Sequence, residues 1–389
     1  MTAAGTATDD ALLAAIRAAP ADDAPRLVYA DHLLARGDRR GELIQLQCAP
    51  TDTLHDRGRR RIVGAITTLL AAHHETWLAP LRAVIPALPL HRVRFTRGFP
   101  SEVQLHVGEL HALPRLCELE PLIRSVVIAL DANGAFDDEF DHVAAAGIAS
   151  VTVLGLLAGD DSVPALARTP WTHLRALAMS HWMTDPQLAE LAASPHLRAL
   201  ESLGVYGDRY TAAGVRSIAR APWRLRRFTF DRPTVDAPFI DTLVTGDAFA
   251  TVESLRATQT YAARELPPLA TLPRLRSLVL AMNQLDAPAL AALLARVGPP
   301  LERLELSRNP LGDAGAAVLA GSPHLTALRV LDVRDTDIGV AGFAALAGSP
   351  HLARLDRLIV YSTSWTRHMA AALERAPFRT SRRAETTPA

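Results

Sequence analysis

The 389-residue sequence predicts an α/β solenoid: a horseshoe of about ten strand–helix units, with a parallel concave sheet and outer helices, preceded by a small helical domain and a capping hairpin. Three observations predict it. A phrase recurs without gaps. Ser194-Pro195-His196-Leu197 leads to Leu200, Leu203 and Val205; Ser322-Pro323-His324-Leu325 leads to Leu328, Leu331 and Val333; Ser349-Pro350-His351-Leu352 leads to Leu355, Leu358 and Val360. The LxxLxL core of that phrase also starts at Ile123, Ile148, Leu174, Leu225, Val252, Leu275 and Leu301, so starts are spaced by about 23 to 27 residues, the period of a repeat array. Within a unit the apolar period changes from two to three or four, which is a strand followed by a helix.

The elements follow in order. Residues 1–9 are expected to be a flexible N-terminus, and residues 10–89 a helical domain. Its helices are read at Ala11–Arg17, at Arg26–Leu34 (stopped near Gly37 and Asp38), from Gly41, and at Arg61–Ala79, with Pro86 and Pro89 breaking the pattern. Residues 90–119 connect and cap: Arg92 to Leu105 alternates around Gly98, which reads as a hairpin that shields the first repeat. Residues 120–378 carry the solenoid. In each unit residues such as Leu304 and Leu306 point inward, and stretches such as Asp313–Ala320 and Gly339–Ala347 space their large apolar groups as a helix does. Their alanines and glycines allow close helix packing, and the following Ser-Pro ends each helix. One strand and one helix bury no core alone, so the units stack. Residues 379–389 are expected to be a disordered tail.

Two resemblances rest on these residues. Leu301 to Leu311, with Leu304, Leu306 and Asn309, reads LxxLxLxxNxL, and Leu275 to Leu285 matches it equally; residues 120 to 378 resemble leucine-rich repeats of the ribonuclease-inhibitor-like kind. The resemblance implies that the asparagine side chain bonds backbone groups of the adjacent turn. Asp208 and Thr336 replace it elsewhere, so a broken ladder is expected. The segment Leu12-Leu13 through Pro20, Asp22-Asp23, Arg26 to Asp31, Gly37-Asp38 and Gly41 to Gln47 resembles the bacterial repeat-companion domain that precedes such repeats. His32 stands where that family usually has tryptophan. Trp77 to Leu81 and Arg97-Gly98-Phe99-Pro100 look like the usual connection. The resemblance implies an architecture and no activity.

Composition excludes several functions. All 41 basic residues are arginine, so phosphate-loop lysines and Schiff-base chemistry are excluded. The 41 acidic residues balance them, which argues against a general nucleic-acid binder. Cys48 and Cys117 form no CxxC pair and read as buried thiols. No apolar stretch spans a membrane, and Met1 to Asp10 lacks the features of a signal peptide, so a cytoplasmic location is expected. No cofactor, metal or small-molecule substrate is expected, because no GxSxG elbow, dinucleotide turn or HExxH motif occurs. His73-His74-Glu75 reads as helix surface. Tyr29, Asp31, Asp38 and Glu42 could form a polar site, or Asp38 a turn and Arg26 an ion pair with Asp31 or Glu42. Asp131, Asn133, Asp137, Asp138, Glu139 and Asp141 read as a solvated acidic loop without calcium-loop spacing. Arg57, Arg59, Arg60 and Arg61 read as a solvated helix start.

In each unit the third, fifth and seventh positions, counted from its first leucine or equivalent, are expected to face outward. Early units place small or apolar groups there, such as Ser125, Val127, Ala129, Ala176, Ala178 and Ser180. Later units place arginines, carboxylates and an aromatic there, of which Arg227, Asp231, Arg256, Arg303, Glu305, Asp332, Arg334, Arg357 and Tyr361 are the candidate partner-binding residues. Such a surface suits a protein partner, although adjacent strands could also pair these charges with each other, for example Glu305 with Arg334. The expected function is a non-catalytic scaffold or adaptor that binds a protein on the concave face. The alternatives are a regulator of a partner enzyme, such as a GTPase-activating protein, and an enzyme with a site between the helical domain and the first repeats.

Overall fold

The computed structural model describes residues 3–50, 56–129, 139–154, 162–179, 183–231, 246–259, 272–297, 300–360, 366–374 and 376–382. The chain divides into two compact units, Met1–Leu157 with Thr169–Leu174, and Ala158–Arg168 with Arg175–Ala389.

The first unit opens with helices α1 (Ala3–Ala18), α2 (Ala24–Ala35), α3 (Arg40–Cys48) and α4 (Asp56–Arg82). Helix α1 starts within the segment expected to be flexible, because Ala3 to Ala15 is rich in the best helix former and contains no proline. Pro25 sits in the first turn of α2, where its missing N–H costs nothing. Strands β1 (Val93–Thr96) and β2 (Phe99–His106) form an antiparallel hairpin. Helix α5 (Leu113–Leu119), strand β3 (Ser125–Ala129), helix α6 (Glu139–Ala145) and strand β4 (Ser150–Leu154) follow. Strand β2 pairs in parallel with β3, and β3 with β4.

The hairpin tip is seated on the helices. Ile16, Tyr29, Ala30, Leu33, Ile44 and Phe99 form one buried cluster. The rings of Phe99 and Tyr29 stack at 6.0 Å, and the Arg40 guanidinium lies 4.8 Å over the Phe99 ring. Gln47 grips both sides of the turn: its amide donates to the Phe95 carbonyl at 3.0 Å, and its oxygen accepts from the Gly98 N–H at 2.7 Å. Gly98 has φ +83°, and a Cβ there would lie 2.1 Å from Ile44 Cγ1. Only glycine meets both constraints.

The second unit contains, in order, α7 (Ser162–Arg168), β5 (Ala176–Met179), α8 (Asp185–Ala193), β6 (Ser202–Tyr206), α9 (Ala212–Ala219), β7 (Arg227–Asp231), β8 (Ser254–Thr258), β9 (Ser277–Val279), α10 (Ala287–Leu294), β10 (Arg303–Glu305), α11 (Gly312–Gly321), β11 (Val330–Asp332), α12 (Val340–Ala347), β12 (Arg357–Val360), α13 (Arg367–Leu373) and β13 (Arg379–Arg382). Each strand from β5 to β13 pairs in parallel with the next. Residues 379–382, expected in the tail, therefore form the last strand, because β12 offers an edge whose backbone groups need partners. Leu301, Leu304 and Leu306 line up with Leu328, Leu331 and Val333 and with Leu355, Leu358 and Val360, all buried. Each such side chain contributes about 1.5–3 kcal/mol of burial.

Polar side chains tie one unit to the next. Asn309 is almost fully buried. Its oxygen accepts from the N–H groups of Asn283 and Leu285, and its amide donates to the carbonyls of Leu280 and Leu306. Asn283 donates likewise to the Ala257 carbonyl at 2.8 Å. Thr336 reaches only its own turn, at the Val333 carbonyl, so the ladder is interrupted where the asparagine is replaced. On the helical side, Asp185 accepts from the N–H groups of Thr211 and Gly214, and Asp313 from those of Gly339 and Gly342. Each aspartate caps the N-terminus of the following helix, where the open N–H groups and the helix dipole favour a carboxylate. The repeated Ser-Pro-His-Leu phrase has a similar cause. The Ser194 hydroxyl donates to the Ala167 carbonyl of the preceding helix and accepts from the His196 N–H. Ser349 does the same with Ala320 and His351. Ser322 Oγ is buried without a hydrogen bond.

Ser194→Ala and Ser349→Ala are expected to lower stability by about 1 kcal/mol each, whereas Ser322→Ala is neutral or stabilising. Urea unfolding midpoints of the three variants check this, and an equal loss from all three would contradict it. Gly98→Ala is expected to cost about 1–3 kcal/mol by the same measurement, through the clash with Ile44 and the strained φ.

Candidate functional site: the open face of the strand array

Alternation along β5 to β12 sends the fourth and sixth residues of each repeat, such as Leu203, Phe228 and Leu304, into the core and the third, fifth and seventh residues to the opposite face. Pairing aligns the fifth residues in one row: Gly204, Thr229, Arg256, Val279, Glu305, Asp332 and Ile359. The row has two characters. Thr229 and Arg256 reach solvent, whereas Val279, Glu305, Asp332 and Ile359 are buried.

The predicted site residues divide accordingly. Arg227 and Arg256 are exposed on neighbouring strands, and among the described residues neither has an ion-pair partner. Asp231, half-buried, accepts from the Thr258 hydroxyl at 2.9 Å. Arg303 pairs with Glu305 at 3.1 Å. Arg334 folds back on its own strand to bind Asp332 through Nε and Nη2, at 2.9 Å for the latter, and lies 3.9 Å from Glu305. Glu305 and Asp332 were expected on the partner-facing surface. They are 7 % and 2 % exposed, because the two arginines cover and neutralise them. The cross-strand pairing of Glu305 with Arg334 is thus present. Arg357 is half-buried on β12, and Tyr361 lies outside the described residues.

Burial holds the Asp332 carboxyl above the usual carboxylate range, with Glu305 adding to the effect, although Arg334 opposes both. The hydrogen bond to Asp332 raises Arg334 in turn. A buried carboxylate kept by one guanidinium makes this pair a brace within the face.

Two features were not expected. Tyr206 occupies the seventh position of the Leu200 repeat, and its ring folds back over Gly204: a Cβ on Gly204 would lie 3.1 Å from that ring. Burial pushes the Tyr206 phenol up, and the nearby Arg256 opposes this. Its outward position was legible in the repeat, but its orientation over a glycine was not. The second positions of successive repeats alternate in charge: Arg175, Glu201, Arg226, Glu253, Arg276, Glu302, Arg329, Asp356. They meet in pairs, Arg175–Glu201 at 2.8 Å, Arg226–Glu253 at 3.0 Å, Arg276–Glu302 at 3.8 Å and Arg329–Asp356 at 3.1 Å. This edge neutralises itself.

Other candidates resolve into structural roles. Asp38 accepts from the Arg40 N–H in a turn, Asp31 accepts from Gln45, and Glu42 pairs with Arg39. Arg26 pairs with neither Asp31 nor Glu42; it donates to the Asp22 carbonyl, one turn back on its own chain. His74 bonds Glu75 and helix carbonyls, and His73 packs against Trp77. Asp131, Asn133, Asp137 and Asp138 lie outside the described residues. Burial pushes the unpaired thiols Cys48 and Cys117 up to about 11, which makes them poor nucleophiles at neutral pH. A cavity of about 330 Å³ in the first unit is lined by Asp141, Ala144, Ala145, Gly147, Pro170, Thr172 and His173. Among the described residues no three His, Cys, Asp or Glu side chains converge to hold a metal, and no helix is long and apolar enough to cross a membrane.

Residues 299–320 and 324–347 match the family model for the leucine-rich repeat. The strand–helix array that holds these repeats is an α/β solenoid. The matched segments hold both the Asn309 lattice and the Arg303–Glu305–Arg334–Asp332 brace. A chain of the crystal structure of the Rad7 and Elc1 complex in yeast aligns at 14 % identity, over 87 % of this chain and 94 % of that one, with a TM-score of 0.48. A protein from Bacteroides fragilis aligns at 10 % identity over 68 % of this chain and 66 % of its own, with a TM-score of 0.35. No curated protein matches the chain in sequence.

Removal of Arg334 leaves Asp332 buried without its cation. Because burial raises the folded-state carboxyl, Asp332 stabilises the fold at low pH, and that contribution is lost as pH rises through the raised value. Arg334→Met is therefore expected to cost about 3 kcal/mol at pH 7 and progressively less as pH falls and the carboxyl takes up its proton. Urea denaturation at neutral and at acidic pH checks the sign, and an equal loss in both, or a larger loss in acid, would contradict it.

Proposed function

We propose that this chain is a non-catalytic protein-binding solenoid, a scaffold or adaptor that holds a protein partner on the open strand face of its repeats. The observation that carries the reading is the presentation of Arg227, Thr229, Arg256 and Tyr206 on a hydrogen-bonded parallel sheet. Arginine and tyrosine on a rigid frame are what protein interfaces favour, since little side-chain and backbone freedom is lost on binding. Asp231, Arg303 and Arg357 extend this surface. Glu305, Asp332 and Arg334 support it from beneath rather than touch the partner. Tyr361 belongs to it by its place in the repeat. The N-terminal helices serve as a companion domain. The partner is a protein met in the cytoplasm, not a nucleic acid, a membrane or a small substrate.

A photo-crosslinking residue placed at Thr229, on the strand face, and at Arg216, on the exposed side of α9, tests this in extracts of the native host. One discrete protein adduct is expected from position 229 and none from 216. Adducts from 216 alone, or equally from both, would place binding elsewhere.

A further inference from the structure

We infer that the partner meets this face through an extended acidic segment with carboxylates two residues apart, held by Arg227 and Arg256. The inference rests on the protein-binding reading above and adds the chemistry of the contact. Charge is balanced over most of the second unit's strand array. The edge row alternates and pairs with itself, and Glu305 and Asp332 are matched by Arg303 and Arg334. Arg227 and Arg256 stand apart as exposed guanidiniums without an ion pair among the described residues. The carboxylate on these two strands, Asp231, accepts from the Thr258 hydroxyl instead.

Their spacing selects the ligand. Arg227 pairs with Ser254, and Thr229 with Arg256, so Arg256 lies one strand over and two residues along from Arg227. Strand separation and rise put their backbones about 8 Å apart. Carboxylates at i and i+2 of an extended chain lie on one face about 7 Å apart, which two arginine side chains span easily. Each guanidinium offers a fork that fits a carboxylate bidentately. Tyr206, whose ring folds back over Gly204 on the strand next to Thr229, lies beside this pair and offers the same segment an aromatic contact. A helix would put carboxylates of this spacing on different sides.

Fluorescence anisotropy with the full chain tests the inference. The probes are labelled 12-residue peptides, one alternating Glu and Ser and one of equal charge in Glu-Glu-Ser-Ser blocks, and a single-stranded oligonucleotide. The alternating peptide is expected to bind at least fivefold tighter than the block peptide, and to weaken as salt is raised. Arg227→Gln with Arg256→Gln should weaken it at least tenfold. Arg198→Gln with Arg224→Gln, exposed arginines outside the face, should change it less than twofold. Thermal melts confirm that both variants fold. Equal binding of the two peptides, equal loss in both variants, tighter binding of the oligonucleotide, or no peptide binding would each overturn the inference. If crosslinking from position 229 succeeds while the peptides fail, the protein-binding reading stands and the acidic chemistry is wrong. If crosslinking also fails, both fall.

Discussion

Every other feature of the second unit depends on one constraint: a strand and a helix of this length cannot bury their own apolar faces. Leu301, Leu304 and Leu306 leave water only because the repeats on either side supply Leu275, Leu278 and Leu280, and Leu328, Leu331 and Val333. The polar bonds serve that stacking. Asn309 closes strand-side turns, Asp313 caps the next helix and Ser349 catches a carbonyl in the last turn of the helix one repeat back. Each spans neighbouring repeats, so stability is carried between units rather than within them.

The same stacking governs the electrostatics. Parallel register places equivalent positions of adjacent repeats side by side, about 4.8 Å apart. A like charge at the same position of every repeat would repel along the whole array. The second positions avoid this by alternating sign from Arg175 to Asp356. The fifth positions avoid it differently, by burying Glu305 and Asp332 under arginines of the same and neighbouring strands. Where neither device operates, at Arg227 and Arg256, positive charge remains available.

In the first unit the organising contact is the hairpin tip. Gly98 permits an approach to Ile44 that any side chain would block, and this brings Phe99 onto Tyr29 and under Arg40. Arg40 also donates to the Gly98 carbonyl and lies 3.5 Å from the buried Glu120. Burial raises the Glu120 carboxyl, and Arg40 opposes that rise. Hairpin, helices and the segment before β3 are thereby joined through one arginine.

The leucine-rich-repeat resemblance implied the role of Asn309, and the chain read alone shows the repeat period, the strand–helix order and the inward leucines. These are set by spacing along the chain, and a period of two or of three to four is visible locally. It also showed which residues face away from the core, because strand alternation admits two sides only. Tertiary structure decided what becomes of those residues. Asp332 and Arg227 occupy equivalent outward faces, yet one is buried and the other is open, since burial depends on whether a neighbouring side chain folds over the residue, as Arg334 does over Asp332. The same holds for Tyr206, whose orientation over Gly204 is a matter of packing, and for Arg379–Arg382, which read as a polar tail until β12 offered its edge. Helix α1 is a local exception: its alanines were legible, and no proline separates residues 3–9, expected to be flexible, from the helix that follows.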